Sequence, residues 1–226
     1  MALSEEARAR LVPQAAEIIG RYPKARSALL PLLHLVQSQE GYVSQEGIKF
    51  CAEQLGLTEA DVTGVASFYT MFKRKPVGDY HVGVCTNSLC AVMGGDAIFA
   101  DLQEHLGIGN DETTADGKVS LEHVECNAAC DYAPVVMVNW EFFDNMTPSK
   151  ARDLVDDLRS GTPVSPTRGA PRLVTWKQTG QILAGFPDDQ GAEGNTAGDP
   201  TLAGLRSAKQ HGWRPDGGSG AAEGTQ

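Results

Sequence analysis

Two short stretches decide how this chain folds: Cys85-Thr-Asn-Ser-Leu-Cys90 and, after a gap of 35 residues, Cys126-Asn-Ala-Ala-Cys130. They hold four of the five cysteines. Each pair is close enough for a single loop to aim both sulfurs at one point, and the gap leaves room for a helix and a strand between the loops. Four thiolates converging from two loops describe a metal or iron–sulfur site.

The flanking sequence supplies a frame for both loops. Tyr80-His-Val-Gly-Val84 is a β-type run that delivers the chain into Cys85. Gly94 and Gly95 precede Asp96, a candidate cap for a helix with Ile98, Phe99, Leu102 and Leu106 on one side and Gly107 at its end. Val119-Ser-Leu-Glu-His-Val124 alternates apolar and polar residues, as a half-buried strand does, and runs into Cys126. Both cysteine pairs therefore follow strand ends. Pro134 to Val138 and Trp140 to Phe143 read as a strand pair with a tight turn near Asn139. Thr147 as N-cap and Pro148 at the first helical position open a last helix, which shows Ala151, Leu154, Val155 and Leu158 and stops at Gly161. The order β-α-β-β-β-α is the element content of a thioredoxin-like domain, placed at 79–161.

Upstream, residues 1–78 read as a small helical bundle. Ser4 caps a helix to about Tyr22 in which Pro13 marks a break or a late start. Lys24 to Glu40 places Leu29, Leu32, Leu33 and Val36 on one face and ends at Gly41; His34 in it is a packed or surface residue without chemistry. Gln45 to Leu55 follows Ser44 as N-cap, with Cys51 in its apolar stripe. Thr58 and Asp61 open a fourth helix with Val62, Val65, Tyr69 and Phe72 on one face, closed by Lys73-Arg-Lys-Pro76. The fold class is thus α+β, a helical bundle followed by a thioredoxin-like domain.

Downstream, residues 162–226 read as an irregular Gly/Pro-rich extension. Two apolar islands interrupt it: Leu173 to Trp176 with Ile182, Leu183 and Phe186, and Leu202 with Leu205 and Trp213. Docking on a partner subunit and cover for the chain's own surface are the two readings of these islands.

The cysteine spacing admits more than one chemistry. Structural zinc favours C-x2-4-C knuckles around one ion, so zinc remains open. The loops here are wider than the common C-x2-C knuckle, and a [2Fe–2S] cluster, with two thiolates on each iron, uses two such pairs without a leftover ligand. A thioredoxin-type dithiol needs C-x-x-C, which neither pair has.

Taken together, C-x4-C, the 35-residue gap and C-x3-C followed by Ala133-Pro134 resemble the thioredoxin-like [2Fe–2S] subunit of NADH-quinone oxidoreductase (respiratory complex I). Gly64-Val-Ala-Ser-Phe-Tyr-Thr-Met-Phe72, Lys75-Pro-Val-Gly78 and Leu106-Gly-Ile-Gly109 look like the same family, and the resemblance covers about residues 5–160. It implies that Cys85, Cys90, Cys126 and Cys130 ligate a [2Fe–2S] cluster. It further implies single-electron exchange with FMN in a flavin- and NADH-binding partner subunit, among the other peripheral-arm subunits of complex I. The chain itself has no G-x-G-x-x-G fingerprint after a strand, so NADH and flavin are expected on another subunit. The equivalent diaphorase subunit of an NAD-linked hydrogenase or formate dehydrogenase, which shares the same cluster fold, is the alternative within this resemblance. The family usually has Leu-Gly where this chain has Asn127 and Ala128. Asn127 thereby adds a side-chain donor near the sulfurs, and Ala128 stands where the family has glycine although alanine tolerates φ > 0 poorly.

Charge narrows the partners. The net charge is −10, and residues 79–160 hold fifteen Asp/Glu against four Lys/Arg. This disfavours nucleic acid, which needs a basic face. Glu125 and Asp131 flank the second pair, and negative charge there opposes reduction of a cluster, giving an expectation of low potential. No apolar run approaches the length of a membrane span. The first residues lack a signal-type apolar region, and five cysteines in a reducing compartment point to metal or redox chemistry, so the expectation is a bacterial cytoplasmic protein without direct membrane insertion.

Overall fold

A computed structural model describes residues 3–187 and 197–213. The first stretch lies in one compact unit and the second in another.

Helix α1 (Glu5–Gly20) starts where Ser4 Oγ accepts from the Ala7 amide at 3.1 Å. Contrary to the expected break, it runs through Pro13. Pro13 and Ala9 both face solvent, so water can take the carbonyl that the proline leaves without a donor. The expected helix from Lys24 divides into a 3-10 turn at Ala25–Ala28 and α2 (Leu29–Glu40). Pro31 sets that division, because proline is tolerated only in the first helical turn, where its missing N–H has no partner to lose. Gly41, at φ 85, ends α2. Ser44 Oγ accepts from the Gly47 amide at 3.0 Å to open α3 (Gln45–Leu55).

Helix α4 (Glu59–Phe68) opens with the Thr58–Asp61 capping box but stops five residues before Lys73, where the sequence pattern carried it. Tyr69 is extended, and a buried side chain accounts for the change. Gln37 donates through Nε2 to the Met71 carbonyl at 3.0 Å and accepts from the Lys73 amide at 2.9 Å. Those bonds draw residues 71–73 away from the helix, and the Phe72 amide turns back to the Tyr69 carbonyl at 3.1 Å. Leu11, Ile18, Leu32, Val36, Ile48, Phe50, Cys51 and Val62 form the core of this part, joined by Phe72. Burial pushes the Cys51 thiol up to about 12, as befits a core residue.

Strands β1 (Tyr80–Cys85), β2 (Glu112–Thr113), β3 (Val119–Val124), β4 (Val136–Val138) and β5 (Glu141–Phe143) form one sheet in the order β2-β3-β1-β4-β5. β1 and β3 are parallel, with Val82 opposite Leu121 and Cys85 opposite Val124. A short helix α5 (Ser88–Val92) and a longer α6 (Gly95–Leu106) make the crossover between them. Asp96 lies in the first turn of α6, and Gly94, at φ 112, takes the capping position expected of Asp96. β4 and β5 turn through Asn139 and Trp140, both at positive φ. Helix α7 (Pro148–Ser160) then packs with α6 on the sheet, burying Leu154, Val155 and Leu158 against Ile98, Leu102, Val82 and Leu121.

The expectation of an irregular extension over 162–226 gives way at two places. Helix α8 (Trp176–Leu183) opens with a Thr175–Gln178 capping box and packs on α2. Trp176 is 1 % exposed, and its Nε1 donates to the Gly41 carbonyl at 2.7 Å. The first apolar island therefore covers the chain's own core, which overturns the partner-docking reading for it. In the second unit, helix α9 (Asp199–Gln210) buries none of its residues, and Leu205 and Trp213 stay exposed. Residues 188–196 and 214–226 of the extension lie outside the described residues.

Candidate metal centre

Parallel pairing of β1 with β3 explains why the two cysteine loops meet. It brings the carboxyl ends of both strands to the same edge, with Cys85 beside Val124. The Cys85 amide donates to the Val135 carbonyl at 3.1 Å, which fixes the start of the first loop. Cys90 rides on α5, an element without a sequence signal because five residues carry no periodicity. The chain then passes so close to itself that a Cβ on Gly95 would meet the Cys85 carbonyl at 2.4 Å. Only glycine fits there. The Asn87 side chain donates to the Val124 carbonyl at 3.3 Å and ties the two loops together.

In the second loop Ala128 is at φ 54, the left-handed region that glycine adopts without strain. A 3-10 turn at Cys130–Tyr132 follows. Cys85, Cys90, Cys126 and Cys130 all line one small cavity, together with Asn127, Ala129 and Val135. Cys126 and Cys130 stand 3.9 Å apart, sulfur to sulfur. Cys85 and Cys90 are buried, whereas Cys126 and Cys130 are exposed. Burial pushes the Cys90 thiol up to about 11, with Cys85 beside it adding to the rise. Cys126 does the same to Cys130, whose thiol is also raised. Thiols crowded in this way resist ionisation unless positive charge sits among them, and that is what a metal centre supplies.

Among the described residues, no three His, Cys, Asp or Glu side chains converge on one ion. The sulfurs stand as two pairs about a common cavity, a donor set that suits two irons with two thiolates each. Glu125 and Asp131 are exposed, so solvent and salt screen their charge at the site.

Beside the second loop a cleft of about 470 Å³ runs between the 66–75 segment and the sheet, with Lys73, Glu122, Asn127 and Trp140 in its lining. His81 Nε2 lies 2.6 Å from Glu122 Oε2, and the Lys73 ammonium pairs with the same carboxylate. Burial works to raise the Glu122 carboxyl, but bonds from His81 and Lys73 outweigh it and hold the carboxyl at about 2. This network lay beyond sequence reasoning because its members are 41 and 49 residues apart.

A family model of thioredoxin-like [2Fe–2S] ferredoxins matches residues 15–159. The chain belongs to that family. A [2Fe–2S] cluster is the family's cofactor, and the four cysteines that line one cavity match the thiolate count it needs. Among curated relatives, the E subunit of the Mycobacterium bovis NADH-quinone oxidoreductase is 67% identical over 204 residues, covering 90% of this chain and 81% of the relative. The corresponding E subunit of Rickettsia bellii is 42% identical over 149 residues, 65% of this chain and 89% of the relative. Subunit 2 of the Thermus thermophilus NADH-quinone oxidoreductase is 39% identical over 148 residues, 64% of this chain and 82% of the relative. Among solved structures, an NAD+-reducing [NiFe]-hydrogenase in its air-oxidised state is similar at a TM-score of 0.54 and 20% identity, over 60% of this chain and 23% of that one. That likeness concerns the fold alone.

Proposed function

We propose that Cys85, Cys90, Cys126 and Cys130 hold the [2Fe–2S] cluster, each pair on one iron, and that the chain is the electron-transfer subunit of the NADH dehydrogenase module of an NADH-quinone oxidoreductase. The observation that carries this reading is the meeting of two cysteine pairs in one cavity at the ends of two parallel strands. When bound, the cluster stores and releases one electron. The protein's own part is to hold it. Cys85 and Cys90 anchor it on the buried side, and Cys126 and Cys130 leave its other side near solvent, where a partner's flavin can approach.

The surface around the first loop supports a partner there. Leu89 and Val92 on α5 and Met93 just after it are exposed large apolar residues next to Cys90, with Val92 84 % exposed. Apolar side chains grouped at a redox site are the composition of an interface core. The partner in this reading carries FMN and oxidises NADH, and the complex lies on the cytoplasmic side of the bacterial membrane. Consistent with a peripheral position, no helix among the described residues is long and apolar enough to cross a membrane. Names of relatives up to 67% identical favour a quinone-linked complex over the hydrogenase-type diaphorase, whose support is a fold likeness at 20% identity.

The test is co-purification with the proposed flavin- and NADH-binding partner subunit. NADH added anaerobically to the pair is expected to reduce the cluster, seen as loss of visible absorption and growth of a paramagnetic signal, whereas NADH added to this chain alone has no effect. Reduction of the isolated chain by NADH, or none in the pair, contradicts the proposal.

A further inference from the structure

Asn127 lies between Cys126 and Cys130 in the second loop and lines the cavity shared by the four cysteines. Its Nδ2 is shielded from solvent and has no hydrogen-bond partner. A buried amide donor left unmade costs about 1–3 kcal/mol, so such a group calls for an acceptor. The other asparagine of these loops shows the contrast, since Asn87 Nδ2 is already taken by the Val124 carbonyl. The acceptors proper to this cavity are sulfurs. Thiolates and bridging sulfides carry negative charge and accept N–H bonds, and such bonds are one of the levers that set a cluster's potential.

We propose that the Asn127 side-chain amide donates to a sulfur of the cluster held in this cavity and thereby raises its reduction potential. The inference rests on the reading that the four cysteines hold a [2Fe–2S] cluster. Its sign follows from charge. Reduction adds one electron to an already negative centre, and an N–H dipole aimed at a sulfur stabilises the more negative state more. The donor therefore opposes the effect of the acidic surroundings, and it lines the cavity itself, whereas the exposed Glu125 and Asp131 carboxylates are screened by solvent. Leucine has nearly the shape of asparagine and no donor, so Asn127→Leu removes the bond while leaving the volume.

The experiment uses the full-length chain with its cluster, labelled with 15N in the asparagine side-chain amides and reduced with dithionite. Electron spin-echo modulation then reads nitrogen nuclei close to the paramagnetic centre. The expected result is a side-chain 15N coupling that disappears in Asn127→Leu, with a midpoint potential lower in that variant by about tenfold in the reduction equilibrium, or about 59 mV for one electron. Equal potentials in the two proteins, or an unchanged 15N coupling, overturn the inference. Should Asn127→Leu fail to assemble its cluster, Asn127→Ala, which adds no bulk, gives both readings with the same expected signs. A wild-type chain without a two-iron signal removes the cluster reading itself, an outcome distinct from a cluster present but indifferent to Asn127.

Discussion

Ala128 shows most plainly what one residue contributes to this site. At φ 54 its Cβ crowds the following carbonyl, a conformation that costs a non-glycine residue about 1–2 kcal/mol. Ala128→Gly relieves that crowding, partly offset by the extra freedom glycine has when unfolded. A gain of up to about 1 kcal/mol is expected in denaturant unfolding of the cluster-free chain, and an unchanged or lower midpoint would sink this account of the loop. The strain was legible in the sequence as an alanine where the resembling subunits usually carry glycine. His34 was legible only as inert. Burial lowers its imidazole to about 4, Nδ1 has no partner, and the ring lies 4.8 Å from that of Phe72. Because the folded-state value is depressed, His34 contributes stability that is full above about pH 6.5 and is lost as pH falls towards 4, at most about 3 kcal/mol. His81, also lowered by burial, acts in the same direction, whereas the Glu122 contribution is lost only further down, below pH 4.5 and towards 2. His34→Leu is therefore expected to flatten the fall of stability between pH 6.5 and 4 without abolishing it. An identical slope in the two proteins would place the acid sensitivity elsewhere.

Elements with local signals could be read from the chain, and those held by distant partners could not. Ser4, Ser44, Thr58 and Thr147 mark helix starts in the sequence and cap those helices in the fold. Periodicity overran the end of α4 because the competing bonds come from Gln37, 36 residues from Lys73. The first cysteine loop reads as loop in the sequence because α5 is a single short turn around Cys90. α8 was hidden by its Gly/Pro-rich surroundings, and the residue that anchors it reaches a carbonyl 135 residues away. Beyond that bond, Trp176 receives support on both sides. Its amide donates to the Asp79 carbonyl at 2.7 Å, and Asn139 donates to the Val174 carbonyl at 2.8 Å just before it. Gly180 permits the close approach of α8 to α2, since a Cβ there would lie 3.0 Å from Ser38 backbone atoms. Trp176→Ala should cost about 3–5 kcal/mol in unfolding free energy, the range for a large aromatic removed from a core. A loss below about 1 kcal/mol would mean that α8 docks weakly.

At the scale of the whole molecule, the cysteine pattern made the candidate site readable, while the sheet explains why it forms at one place. Spacing alone left zinc and iron–sulfur chemistry open. Parallel pairing of β1 with β3 gathers the two loops, and the family match supplies the cofactor. The extension is the part the sequence described least well, since its first half belongs to the same compact unit as the helical core and the sheet. A chain truncated after Gly161, which loses Trp176, is accordingly expected to melt several degrees below a chain truncated after Pro187. Equal melting of the two truncated chains would contradict the assignment of α8 to the core. The most direct test of the central claim is electron paramagnetic resonance of the anaerobically reduced full-length chain, quantified against its iron content. The account predicts about one spin per chain for about two irons, the count of one [2Fe–2S] cluster, lost when Cys90 or Cys126 is replaced by serine. A chain that carries stoichiometric zinc, no iron and no such signal would contradict it.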